Sequence, residues 1–157
     1  MLSIQNVNNH ASFLLEFQDG DEMKRVYVDP VFSTHDKKPI SKTPYHTKIA
    51  DLILITHDHS DHYDPDAVYF LSDSHTVILC PETCHNILNA FKAYGVPVGY
   101  RDKPAGIPVE TIAAYNPSLE TEFRPTQPSV MGCPTWKPCT TGGLRKWLLT
   151  NRPRMTA

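Results

Sequence analysis

No apolar run in this 157-residue chain approaches the roughly 20 residues needed to span a bilayer. The opening "MLSIQNVNNH" lacks the basic, then apolar, then small-residue order of a secretory signal. The expected compartment is therefore the cytosol, and the expected arrangement has no membrane span. Cysteine is sparse: four residues in a chain without an export signal read as reduced thiols rather than a disulfide framework. No internal repeat appears at any period, which excludes solenoids and propellers. Acidic residues are missing from the last part of the chain, where none follows Glu122. Histidine stops at His85 and aspartate at Asp102.

What is present describes an ordinary globular protein, with 40% apolar and 20% charged residues. A chain of this length fits one domain and can bury a core. Its charge is split. Residues 1–123 hold all 17 acidic residues and nine of the 15 basic ones, whereas residues 124–157 hold six basic residues and no acid. The expected organisation is a folded domain over 1–123, followed by an irregular, basic, proline-rich tail over 124–157.

The first half reads as strands and tight turns. "ASFLLEF" and "RVYV" flank the hairpin signal "DGD" at 19–21, and Asp29-Pro30 ends the second strand. Residues 33–48, with Pro39 and Pro44, read as a long surface loop of the kind that often carries function. "DLILI" is a continuous apolar run, the mark of a strand buried on both faces. "YDPDAVYFL" predicts a helix capped by Asp64 with Pro65 in its first position. "TVILC" at 76–80 predicts the next buried strand, parallel to the first across that helix. "PETCHNILNAFKAYG" predicts a longer helix from Pro81 to Gly95, and "VETIAAY" at 109–115 a further strand.

The chemistry concentrates in "THDHSDH", directly after the "LILI" strand, where parallel sheets place their sites. His57 and His59 alternate and can grip one divalent ion, while Asp61 and His62 fall one step further and can hold a second. Nitrogen and carboxylate donors suit zinc, manganese or iron. Two such ions would activate water and clamp the oxygens of a scissile ester or phosphate. At this composition a chance H-x-H-x-D-H arises in about one chain in a thousand, so a plain solvated loop is a poor account of it.

That motif after an apolar strand resembles the H-x-H-x-D-H signature of the metallo-β-lactamase-fold hydrolases. "NHASFLLEF" and "RVYVDPVF" resemble flanking strands of the branch that includes ascorbate-6-phosphate lactonase-like and N-acyl-phosphatidylethanolamine phospholipase D-like proteins. The resemblance covers residues 1 to about 120. It implies an α/β fold: the N-terminal half of an αββα sandwich, a mixed sheet with flanking helices. It implies a metal-dependent hydrolase acting on a phosphate ester, phosphodiester or lactone. His57 and His59 would ligate the first ion and Asp61 and His62 the second, with Asp61 and His62 also catalytic. Asp29 would anchor a ligand from beneath the loop, and His10 would face the pocket near metal or substrate. For both, a plain alternative stands beside that role: an ordinary loop histidine, and a strand-ending turn.

The resemblance also implies ligands further along the chain: a histidine, a bridging aspartate and a last histidine. "AAYNPSLETEFRP" has Arg124 where the first of these would stand. The expected cause is a change of reading frame, an alternative exon or a misplaced gene boundary near Arg124. A half site of this kind opens a second expectation, an inactive metal-binding or self-associating half-domain, with a homo-oligomer as its partner state. His85 and Cys84 follow the same strand edge as the motif and are weak substitutes for the missing ligands. Cys80, Cys84, Cys133 and Cys139 are spaced too widely for a zinc knuckle. The tail, with Trp136 and Trp147, carries no nucleic-acid-binding motif, so the expected substrate is a small-molecule ester or phosphate.

Overall fold

The computed structural model describes residues 2–113. Six strands form one sheet whose spatial order follows chain order: β1 Leu2–Asn6, β2 Phe13–Asp19, β3 Glu22–Val28, β4 Leu52–Leu54, β5 Val77–Pro81 and β6 Tyr94–Val96. The first three pair antiparallel, and β3 through β6 pair parallel. Two helices, α1 (Pro65–Leu71) and α2 (His85–Ala90), supply the crossovers β4–β5 and β5–β6. A small antiparallel pair, β7 (Arg101–Asp102) and β8 (Val109–Glu110), encloses a 3₁₀ turn at Pro104–Gly106. This is the mixed α/β sheet expected from the resemblance. No described helix is long and apolar enough to cross a membrane.

Strand parity sorts the core into two layers. Leu14, Tyr27, Ile53, Ile55 and Ile78 face α1 (Ala67, Val68, Leu71) and Ile87 of α2. The alternate residues Val26, Val28, Leu52, Leu54 and Leu79 face the other way, against Val96, Ile107 and Val109. The run Leu52–Ile55 is thus buried on both sides, as an uninterrupted apolar strand requires. Each of those side chains contributes roughly 1.5–3 kcal/mol by leaving water.

The hairpin turn between β2 and β3 holds two residues, with Gly20 at φ 60° where a side chain would be strained. Asp64 caps α1, its Oδ1 accepting from the backbone N–H groups of Asp66 and Ala67. Its Oδ2 accepts from Phe32 N, so the same carboxylate fastens the long loop to the helix.

Three expectations need correction. The helix predicted from Pro81 to Gly95 is only His85–Ala90, because Pro81 ends β5 and the backbone turns extended at Phe91 (φ −128°, ψ 162°). Tyr94–Val96 instead pairs with Leu79–Pro81 as β6. Gly95 is not a helix cap: a Cβ there would stand 3.0 Å from Glu82 Cα, so glycine lets two backbones approach. The strand predicted over 109–115 is Val109–Glu110, paired with an unforeseen β7; residues 114–115 lie outside the described residues. Finally, Leu2–Asn6 forms an unforeseen edge strand, in which Leu2 and Ile4 lie opposite Phe17 and Leu15. The tail 124–157, with Arg124, Cys133, Trp136, Cys139 and Trp147, also lies outside the described residues.

Candidate metal centre

The register brings three segments to one edge of the sheet. Val28 pairs with Leu54 in parallel, so Asp29 and Thr56 leave neighbouring strands side by side. Phe13 and Asn6 pair at the same end, which places the β1–β2 loop, with His10, beside them. That loop is held by Asn8, whose Oδ1 accepts from the N–H groups of His10 and Ser12. Ser12 Oγ in turn accepts from Val31 N, tying the loop to the residues after Asp29.

Asp29 is buried (2% exposed) and adopts a left-handed backbone, φ 48°, which is uncommon for a residue with a side chain. That turn directs its carboxylate under the histidine loop. Asp29 Oδ1 accepts from Thr56 N at 2.6 Å, and Oδ2 accepts from Thr56 Oγ1 at 2.6 Å and from His62 Nδ1 at 2.8 Å. A hydroxyl has one proton, and Thr56 gives it to Asp29. Thr56 Oγ1 must therefore accept from His57 Nδ1, 2.9 Å away. One carboxylate thus fixes two imidazoles, His62 directly and His57 through Thr56. In both, the proton sits on Nδ1 and the lone pair on Nε2.

The loop beyond is a helical turn, in which His59 O accepts from the N–H groups of His62 and Tyr63. Donor-type atoms of His10, Asp61 and His62 lie within 4.8 Å of one another. The His57 ring stands 4.0 Å from that of His62 and 4.6 Å from that of His59, centroid to centroid. No third ligand-type residue completes a set of three around His57 and His59 among the described residues. Asp61 Oδ2 lies 3.7 Å from His62 Nε2.

Electrostatics separates the two best-buried rings. Burial, joined by the neighbouring charge of His62, pushes His57 down to about 4, so its ring is neutral at physiological pH. Burial also acts to lower His62, but the hydrogen bond and charge of Asp29, with Asp61 adding, outweigh it and the net shift is upward. His57 Nε2 and His10 Nδ1 are buried without a hydrogen-bond partner among the described residues. Unpaired buried nitrogens are costly unless something else occupies them. A neutral imidazole whose other nitrogen is held by a carboxylate is the usual form of a metal-ligating histidine. The donor set therefore fits a divalent cation. His75 is exposed just ahead of β5, and His85 is exposed on α2; neither joins the group. Cys80 and Cys84 are buried free thiols, and burial pushes them up to about 11 and about 12, away from the thiolate form that binds metal.

Thr56 is the residue that sequence reasoning passed over. It stands directly before the motif, and a hydroxyl between a buried strand and a histidine was the available signal. His35 was also missed within the long loop; its ring stacks on His10 at 4.6 Å.

Comparisons with known proteins follow the same outline. A 33% identical relative over 116 residues is a UPF0173 metal-dependent hydrolase of Archaeoglobus fulgidus, matched over 72% of this chain and 46% of the relative. A second, from Methanosphaera stadtmanae, is 34% identical over 79 residues, half of this chain and 31% of that protein. The crystal structure of a Parabacteroides distasonis protein described as a metal-dependent hydrolase superposes with a TM-score of 0.57 at 30% identity, covering 75% of this chain and 48% of that one. Igni18, a metallo hydrolase of Ignicoccus hospitalis, shares the fold at a TM-score of 0.52 and 18% identity, over 82% of this chain and 53% of its own. The chain thus spans about half the length of these relatives, or less. Residues 6–115 match the Beta-lactamase superfamily domain, and the chain belongs to that superfamily.

Proposed function

We propose that this chain is the metal-holding half of a hydrolase that uses water to open a phosphate ester, phosphodiester or lactone. One observation carries the reading: the Asp29 carboxylate sets both His57 and His62 with their Nε2 lone pairs free, and His57 Nε2 is buried without a partner. In this reading His57, His59, Asp61 and His62 hold one or two divalent ions, zinc, manganese or iron. His10 approaches Asp61 and His62. When bound, such a cation supplies Lewis acidity, lowering the pKa of water and polarising the scissile carbonyl or phosphoryl oxygen.

The chain's own residues do the positioning. Asp29 keeps the Nδ1 protons where they are, directly on His62 and through Thr56 on His57. Burial keeps His57 unprotonated near neutral pH, so its lone pair is ready without a proton being lost. Asp29 raises His62, so protonation of its Nε2 competes with a cation and makes binding pH-dependent. Asp61 and His62 are the catalytic pair, and Asp61 serves as a ligand rather than a free general base. The proposed setting is the cytosol, with a small-molecule substrate and no nucleic-acid partner.

The experiment is metal analysis of the purified chain together with hydrolysis of bis(p-nitrophenyl) phosphate and a simple lactone. At least one tightly held divalent ion per chain is expected, and loss of it in His57→Ala and His59→Ala. Unchanged metal content in those variants would overturn the ligand assignment.

A second reading rests on the half-length coverage of the relatives. Here the chain is an inactive half-domain that binds one ion weakly and associates with a second copy. The exposed Leu2 and Ile4, opposite Phe17 and Leu15, leave apolar sheet surface for such a contact. Substoichiometric metal, no turnover and a dimer by sedimentation would favour it.

A further inference from the structure

A cleft opens beside the candidate metal centre, lined by Asn8, His10, Ser33, Thr34, His35, Lys37, Ser60 and Asp61 among others. Two of its residues, His10 and Asp61, belong to the candidate cation group with His62. The opposite wall comes from the start of the long loop, and that wall is built rather than loose. Ser33 bridges to Pro39, Thr34 N donates to Lys38 O, Lys37 N donates to Thr34 O, and Thr34 Oγ1 accepts from Lys38 N. The tip holds Lys37 in a left-handed backbone, φ 60°, and lays the His35 ring on the ring of His10. Strain of this kind in a non-glycine residue costs free energy and gathers at ligand-binding positions.

The residues that line the cleft carry donors. Lys37 supplies an ammonium, Ser33, Thr34 and Ser60 supply hydroxyls, and Asn8 has already committed its side-chain oxygen to two backbone N–H groups, which leaves its amide N–H₂ as the available end. Its one carboxylate, Asp61, is the group a bound cation would neutralise. The cleft is small and open, with about 30 Å³ of room, enough for one small polar group. A lysine acts as a point charge, and hydroxyls approaching from several segments suit a tetrahedral oxyanion better than a planar carboxylate, which prefers an arginine fork.

We propose that the hairpin over residues 33–39 is the substrate-reading element of this site, with Lys37 receiving a phosphoryl oxyanion next to the bond that is cut. The inference rests on the hydrolase reading given above and adds to it the residues that select the substrate. Lys37 is exposed, so replacing it does not threaten the core. Lys37→Asn removes the charge and suits the left-handed backbone; Lys37→Arg keeps the charge.

The test is calorimetric titration of inorganic phosphate into the zinc-reconstituted chain, with acetate as the planar comparison and zinc content measured on the same samples. Phosphate should bind in preference to acetate and weaken roughly tenfold in Lys37→Asn. It should recover in Lys37→Arg, and zinc content should not change. Phosphate affinity equal in wild type and Lys37→Asn, or equal affinity for acetate, would overturn the proposal while leaving the metal reading intact. If the chain holds no zinc, the metal reading fails by itself. Phosphate should then still shift the His35 ring resonances of the zinc-free chain, and absence of that shift overturns the subsite as well.

Discussion

Replacing Asp29 by asparagine keeps the shape of the side chain and changes only what it can accept. Asp29 takes three short hydrogen bonds, from Thr56 N, Thr56 Oγ1 and His62 Nδ1. An amide has one acceptor oxygen and a pair of donors, so at least one N–H₂ would be driven against a donor in a site 2% exposed. Each bond to a charged acceptor contributes about 1.5–3 kcal/mol, and breaking a buried charged arrangement on one side typically costs about 3–5 kcal/mol. The metal-free chain should therefore lose about 3–5 kcal/mol of stability in urea unfolding. Zinc affinity, read by competition with a chromophoric chelator, should fall about 10- to 100-fold, because neither His57 nor His62 keeps its tautomer. Nitrogen-15 shifts of the two rings report the tautomer directly. Thr56→Val separates the two routes: His62 keeps its partner, His57 loses its own, and the expected loss is about 1–3 kcal/mol. A variant Asp29→Asn with zinc affinity within twofold of wild type and the His62 proton still on Nδ1 would refute the reasoning.

The metal-free chain should be acid-sensitive through His57. With its folded pKa near 4 and an ordinary unfolded value near 6.5, the unfolded state takes up the proton first, so stability falls as pH drops from about 6.5 to about 4, by roughly 3 kcal/mol. His62 works with the opposite sign: its stabilisation is full below about 6.5 and is lost as pH rises through its raised folded value. Urea midpoints of wild type and His57→Gln across pH 4–8 check this; the variant should lack the acid slope. Gly95→Ala should weaken the β5–β6 pairing by about 1–3 kcal/mol, since its Cβ would meet Glu82 Cα at 3.0 Å, and amide exchange at Val96 should quicken. Asp64→Ala should cost about 2 kcal/mol, more than an isolated helix cap, because Phe32 N loses its acceptor too; thermal unfolding measures it.

The elements that could be read from the chain are those whose cause is local. Asp64-Pro65 declares a helix start, and four consecutive apolar residues at 52–55 declare an interior strand. The segment after Pro81 misled because its apolar spacing suits a helix, whereas Tyr94 and Val96 are claimed by an open strand edge more than ten residues away. The motif points to metal chemistry at 57–62 by residue type and spacing alone. Which side chains meet there is set by register. The link from Asp29 through Thr56 to His57 exists because Val28 aligns with Leu54, and His10 reaches Asp61 and His62 because the β1–β2 pairing ends at that edge. Neither alignment has a signature in the order of residues.

The neighbour-by-neighbour order of the sheet bears on how the molecule comes into being. Within the six-stranded sheet, each strand from β2 to β6 finds a partner in the strand just before it, so no strand of that sheet waits for one that has yet to be synthesised. The β2–β3 hairpin is local, whereas β3–β4 and β4–β5 join distant residues such as Val26 with Leu52 and Leu52 with Val77, and the sheet can grow edge by edge as the polypeptide leaves the ribosome. Every histidine and aspartate of the candidate centre lies between positions 10 and 62, so the whole cluster has emerged before β5, β6 and the second crossover are made.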